Sequence, residues 1–287
     1  MKLRSTEERV NPFWEQIKSQ FEICDLQGLL IGAPKSHLEK AVQDEIYELG
    51  LTGVEAVELD INDSLENIVN IFKPRDWKLK LKFVGALNSR LYLIAYLNQF
   101  YVYRVKEQKA GDFPDIVLEQ TLNNIGFVKW WAACKQTVQT KRMYEAKTRQ
   151  AETIFDSILE GNGVAWGGNI DGVLFDRKHI TSALIEVRTS KRQPVNSYDP
   201  KRYFFGTARK SGDYMTWLPL WYVAKKLDIP LVLLTFSTYS KGECGGAVVE
   251  NITRDGLMYK GRPPNMTLFN SIKDLKSWFE SIIGRSL

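Results

Sequence analysis

Two short β-type runs, each with a single acidic residue among apolar neighbours, constrain this chain more than any other part of it. They lie between Gly167 and Lys191, in GGNIDGVLFDRKHITSALIEVRTSK. Asn169–Phe175 mixes Ile, Val, Leu and Phe with Asp171, and Ala183–Thr189 holds Glu186 between Ile185 and Val187. Both are rich in β-branched residues and read as strands, joined by the polar, turn-prone segment Asp176–Ser182. A carboxylate in a core-type strand is expensive to bury unless something pairs with it. Side chains alternate along a strand, so Glu186 and Arg188 share a face. Asp171, Arg188 and a divalent cation are the candidate companions of Glu186. The plainer alternative is one or two ion pairs that join the acids to Arg188 or Arg177.

Ahead of these runs the chain alternates strand and helix signals. Phe13–Phe21 places Phe13, Ile17 and Phe21 on one helical face. Leu29–Ile31 reads as a short buried strand, and Ser36 with Glu39 forms a capping box for a helix to about Leu49. Val54–Ile61 is a second strand, Asp63 caps a helix through Phe72, and the alternation of Lys78–Phe83 predicts a half-exposed strand. Arg90–Val105 holds two more strands. From Asp115 the expectation is helical, with a long helix from about Val138 to Leu159 and a first strand at Val164–Trp166. Asp213–Leu227 is a helix interrupted by Pro219. Leu231–Phe236 suits a buried strand with a parallel neighbour, Ala247–Ile252 is a further strand, and Ser271–Ile283 is a closing amphipathic helix. The expected class is α/β, in two parts. A smaller N-terminal α/β unit (1–125) precedes a mixed central sheet flanked by helices (126–287).

Charge and composition narrow the function. Residues 1–140 carry 17 basic and 19 acidic side chains, residues 141–287 carry 22 and 15, and the whole chain is +5. Between Arg177 and Lys210, nine residues are basic (Arg177, Lys178, Arg188, Lys191, Arg192, Lys201, Arg202, Arg209, Lys210) and two are acidic. Such a segment beside a carboxylate pair suits a polyanion whose phosphates are held near a metal. A solvated lysine-rich loop is the alternative. Interleaved cations and rings in Lys201–Phe205 fit nucleic acid as well as a loop anchored in a core. Three widely spaced cysteines and two histidines argue against a disulfide framework, a zinc cluster or a His-based triad. Gly32–Ser36 (GAPKS) lacks the spacing of a phosphate loop. The apolar runs fall short of the roughly 18 residues a membrane helix needs. A cytoplasmic protein without a membrane partner is expected.

The order of helix, strand, Asp-bearing strand and Glu-x-basic strand over roughly Lys141–Ser237 resembles the PD-(D/E)xK nuclease superfamily, which includes many restriction endonucleases. The resemblance implies a restriction-endonuclease-like core of three antiparallel strands, a helix and a further strand. It implies that Asp171 and Glu186 hold Mg²⁺ or Mn²⁺, with Glu152 as an acid supplied by the preceding helix. The family's usual lysine is Arg188 here. Arginine brings charge and two-pronged hydrogen bonding but cannot give up its proton, so Lys191 is the second candidate for that role. The expected function is metal-dependent hydrolysis of phosphodiester bonds in DNA, of restriction type, and the residues do not separate DNA from RNA. An inactive nuclease fold that binds nucleic acid is the alternative. Target recognition, ligand sensing and homodimerisation are all open to the N-terminal unit.

Overall fold

The structure, a computed structural model, describes residues 1–3, 12–43, 48–108, 111–136, 153–164, 166–197, 214–239, 243–253, 256–260 and 266–287. In chain order its elements are β1 (Lys2–Leu3), α1 (Pro12–Gln20), β2 (Ile23–Gly32), α2 (Lys35–Gln43), β3 (Gly50–Glu58), a 3-10 helix (Leu65–Ile71), α3 (Pro74–Ala86), β4 (Arg90–Tyr96), β5 (Phe100–Lys106), β6 (Asp115–Leu122), α4 (Asn124–Cys134) and α5 (Ile154–Gly161). Then come β7 (Gly168–Phe175), β8 (Thr181–Ser190), a 3-10 turn (Val195–Ser197), α6 (Tyr214–Leu227), β9 (Leu231–Ser237), β10 (Cys244–Thr253), β11 (Gly256–Tyr259), β12 (Thr267–Phe269) and α7 (Ile272–Ile283). The class is α/β, with mixed sheet flanked by helices.

The chain divides into two units that interleave along the sequence. Unit 1 is Met1–Ser5, Leu26–His37 and Glu48–Asn169; unit 2 is Thr6–Asp25, Leu38–Tyr47 and Ile170–Leu287. This differs from a contiguous division near residue 125, and the N-terminal part is not a smaller appendage. The reason lies in packing. Helix α1 precedes β2 in the chain, yet Trp14, Ile17 and Phe21 pack against Leu174, Ile185, Val187 and Phe236 in unit 2. Phe155, Ile158, Leu159 and Trp166 precede β7, yet they pack against Val54, Ile94, Phe100 and Trp131 in unit 1.

Within unit 1, β2 pairs antiparallel with β3, β3 runs parallel to β4, and β5 and β6 continue antiparallel. Helices α4 and α5 cover one face, where Phe100 stacks on Phe127 with centroids 4.0 Å apart. Helix α3 covers the other, and Trp77, Leu79, Lys80, Phe83 and Val84 are its buried residues. The strand expected at Lys78–Phe83 is thus helical. Pro74 at the first helical turn starts α3, and Lys80 turns inward, which breaks the alternation that suggested a strand. Asp115–Leu122 is a strand rather than the start of a helix. It is a largely exposed edge, so no buried stripe betrays its period.

Three further expectations change. Helix α5 starts at Ile154, where Thr153 in extended conformation accepts from the Asp156 N–H, so no helix runs unbroken from Val138 to Leu159. Ser36 lies inside α2 rather than before it. Asp63 leads into a 3-10 helix and accepts from the Asp60 N–H at 2.8 Å.

Unit 2 runs β7 antiparallel to β8, β8 parallel to β9, and β10 and β11 antiparallel in turn. Val164 and Trp166 are not in a strand, so the Asp171 strand opens this meander and two antiparallel strands, not three, precede the crossover helix. Pro219 sits inside α6. The core of one face is Trp14 with Ile185, Val187, Val232, Leu234, Leu275 and Phe279. The neighbours on β8, Glu186 and Arg188, therefore face the other side, toward Trp217 of α6. Gly172 is needed because a Cβ there would lie 2.9 Å from Trp14 Cη2 and 3.2 Å from Ile185 Cβ. Gly172→Ala should cost about 1–3 kcal/mol through overpacking, read as a lower urea midpoint at unchanged slope.

Candidate functional site

Register sets the centre of unit 2. Gly172 lies across from Ile185, Val173 from Leu184 and Leu174 from Ala183. One residue beyond Gly172–Ile185, the same register brings Asp171 opposite Glu186 on a shared face, where Cβ atoms of paired residues stand about 4.5–5.5 Å apart. The backbone ladder gives way here to a side chain, as the Val187 N–H donates to Asp171 Oδ2 at 2.9 Å. Both carboxylates are buried, with Asp171 2% and Glu186 4% exposed.

Arg188 completes the cluster. Its Nη2 lies 2.8 Å from Glu186 Oε1, and its guanidinium stands 5.5 Å from the Trp217 ring centroid. In the parallel β8–β9 register Arg188 is level with Thr235. Thr235 is fully buried, and its Oγ1 has no hydrogen-bond partner among the described residues. The result is a polar row, Asp171, Glu186, Arg188 and Thr235, on one buried face of three adjacent strands. Like charges directly opposite in a sheet are destabilising. Arg188 offsets this at Glu186, and a backbone N–H does so at Asp171.

The other predicted residues scatter. β8 ends at Ser190, and Lys191 and Arg192 are exposed just past it. Lys191 has the opposite parity to Glu186 and Arg188. Arg177 and Lys178 are exposed in the β7–β8 turn, roughly 20 Å along the strand from Asp171 at about 3.3 Å per residue. Arg177 Nε donates there to the Leu287 carbonyl at 3.0 Å. Glu152, Lys201, Arg202, Arg209 and Lys210 lie outside the described residues. Among the described residues no group of three or more His, Cys, Asp or Glu side chains is placed to hold a metal ion. The donor set at this centre is two carboxylates. Mg²⁺ often takes only one or two protein carboxylates and keeps several waters.

Sequence reasoning missed Trp217 and Thr235, because each sits in an apolar run without a periodic signature. It also missed a charged pair in unit 1. Lys80 Nζ lies 2.7 Å from Glu55 Oε1, with both side chains at most 1% exposed. The cysteines offer no nucleophile: Cys24 and Cys244 are buried, and burial pushes the Cys134 thiol up to about 11 and raises that of Cys244 further. No helix among the described residues is long and apolar enough to cross a membrane.

No family model matches the chain. No curated protein matches it either. Among solved structures, the sex pheromone staph-cAM373 precursor aligns over 91% of this chain and 98% of its own at 10% identity, with a TM-score of 0.17. A likeness that slight carries no argument about fold or function.

Proposed function

We propose that the Asp171–Glu186 centre binds Mg²⁺ or Mn²⁺ and that the protein is a metal-dependent endonuclease acting on DNA. The observation that supports this best is the pair of buried carboxylates from adjacent strands, which meet on one face beside a guanidinium. Two hard oxygen donors suit either cation. When bound, the ion would polarise a phosphoryl oxygen and lower the pKa of a bound water. Asp171 and Glu186 would hold it, and Asp171 keeps one oxygen on the Val187 N–H, which fixes the orientation of its carboxylate. Arg188 supplies positive charge for a phosphate and serves as no general base. The exposed Lys191, Arg192, Arg177 and Lys178, with Lys201, Arg202, Arg209 and Lys210, would hold the nucleic-acid backbone electrostatically.

One observation favours a second reading. The 2.8 Å contact between Arg188 and Glu186 already gives Glu186 a cation, as expected of an inactive nuclease fold that only binds nucleic acid. Supercoiled plasmid incubated with Mg²⁺ or Mn²⁺, beside a chelator control and Asp171→Asn, separates the two. The carboxamide keeps an acceptor for the Val187 N–H while removing the charge. Metal-dependent nicking by the parent and none by Asp171→Asn is the expected result. Retention of DNA in a gel shift with no cleavage under either metal selects the binding module. Absence of both cleavage and salt-dependent binding rejects both readings.

A further inference from the structure

Unit 1 repeats the strand pair at the centre of unit 2, with Val57 at the position of Arg188 and Ala95 at that of Thr235. In both, an antiparallel pair ends its ladder at a glycine, Gly28 with Val54 and Gly172 with Ile185. The residue before the glycine is Gln27 in one and Asp171 in the other, and the residue after its partner is Glu55 or Glu186. The same side-chain bond follows: the Ala56 N–H donates to Gln27 Oε1 at 2.7 Å, and the Val187 N–H to Asp171 Oδ2 at 2.9 Å. An indole lies against each glycine, so a Cβ would fall 3.0 Å from Trp166 at Gly28 and 2.9 Å from Trp14 at Gly172. Each second strand leads through a helix to a parallel strand, β3 through α3 to β4 and β8 through α6 to β9. Two antiparallel strands then follow in both units. Each crossover helix carries a buried tryptophan, Trp77 or Trp217, and three residues on stands Lys80 in α3 against Leu220 in α6.

The copies differ in charge. Asp171, Glu186 and Arg188 sum to one negative charge, whereas Gln27, Glu55 and Lys80 sum to zero. In unit 1 an ammonium on the covering helix reaches the strand carboxylate at 2.7 Å; in unit 2 the matching helix position is an apolar leucine.

We propose that units 1 and 2 are two copies of one module, and that the Gln27–Glu55–Lys80 centre is a self-neutralised counterpart in which the Lys80 ammonium stands where unit 2 takes a divalent cation. The chain then has one cation-dependent centre and one that needs no metal. The unit 2 half of this statement rests on the function proposed above.

The test is Mn²⁺ stoichiometry of the full chain by electron paramagnetic resonance, for the parent, Asp171→Asn, and a double variant with Gln27→Asp and Lys80→Ala. The double variant restores the acid and opens the ammonium's place. The parent should bind one ion, Asp171→Asn none, and the double variant one more than the parent. A folded double variant with the parent's stoichiometry overturns the inference. If the double variant is unfolded in chelator, folding on addition of Mn²⁺, followed by circular dichroism, supports it, and failure to fold overturns it. Should the parent bind no ion while the double variant binds one, the counterpart relation stands and the metal reading of Asp171 and Glu186 falls.

Discussion

Lys80→Met should remove about 3–5 kcal/mol of stability, the usual loss when one partner of a buried ion pair is deleted. That is a fifth or more of the whole stability of an ordinary domain. Glu55 is fully buried and Lys80 nearly so, and their charged atoms stand 2.7 Å apart. Methionine fills much the same volume, so the loss is electrostatic: a carboxylate inside the protein loses the cation beside it. The Phe72 ring, 4.4 Å from Lys80 Nζ, gives up a cation–π contact as well. Replacing both partners, with Glu55→Gln and Lys80→Met together, should recover most of the loss, because no buried charge is left over. The exposed Lys78, two residues away on α3, is the control, and Lys78→Met should stay within about 0.5 kcal/mol. Urea denaturation of the three variants reads these outcomes. A loss below about 1 kcal/mol for Lys80→Met would mean that the two charges are not coupled as described.

If the Asp171–Glu186 centre acts as proposed, Glu186→Gln should lower plasmid cleavage by roughly a thousandfold or more, because a bound metal contributes several kcal/mol to the transition state and each 1.4 kcal/mol is about tenfold in rate. The change keeps the shape of the side chain, and an affinity for DNA carried, as proposed, by phosphate contacts with exposed cations should hardly move. Arg188→Met should cost less, about ten- to a hundredfold, if its part is a charge-assisted hydrogen bond to phosphate worth about 1.5–3 kcal/mol. Single-turnover rates at saturating Mg²⁺ measure both. Equal rates for the parent and Glu186→Gln would remove the proposed centre.

Some of this architecture is written locally. The β7–β8 pair, β9 and α7 are legible because β-branched runs, a polar turn, a buried apolar strand and an amphipathic closing stretch each announce themselves over a few residues. The facing of Asp171 and Glu186 follows from the register once both strands are placed. Elsewhere the local signal misleads. The run Lys78-Leu79-Lys80-Leu81-Lys82-Phe83 has strand period, and only the burial of Lys80 against Glu55, a partner 25 residues away, makes sense of the helix. β6 leaves no pattern because an exposed edge strand buries little. Trp14 and Trp166 look like ordinary core residues, and nothing adjacent in sequence says that each belongs over a glycine far along the chain. The paired tripeptides Leu26-Gln27-Gly28 and Ile170-Asp171-Gly172, with Val54-Glu55 and Ile185-Glu186, were the available sign of the repeat. They are too short to stand out without the hydrogen bonds that match them.

The interleaving of the two units bears on how the protein comes off the ribosome. Helix α1 is made early, but its aromatic contacts Phe13–Phe236 and Trp14–Phe236 wait for β9, which at about 5–20 residues per second emerges roughly 10–45 s later. Unit 1 likewise cannot close its aromatic core until Trp166 has been added beside Trp131. Part of the apolar face of α1 therefore stays uncovered through that interval, on a nascent segment that a chaperone would be expected to shield.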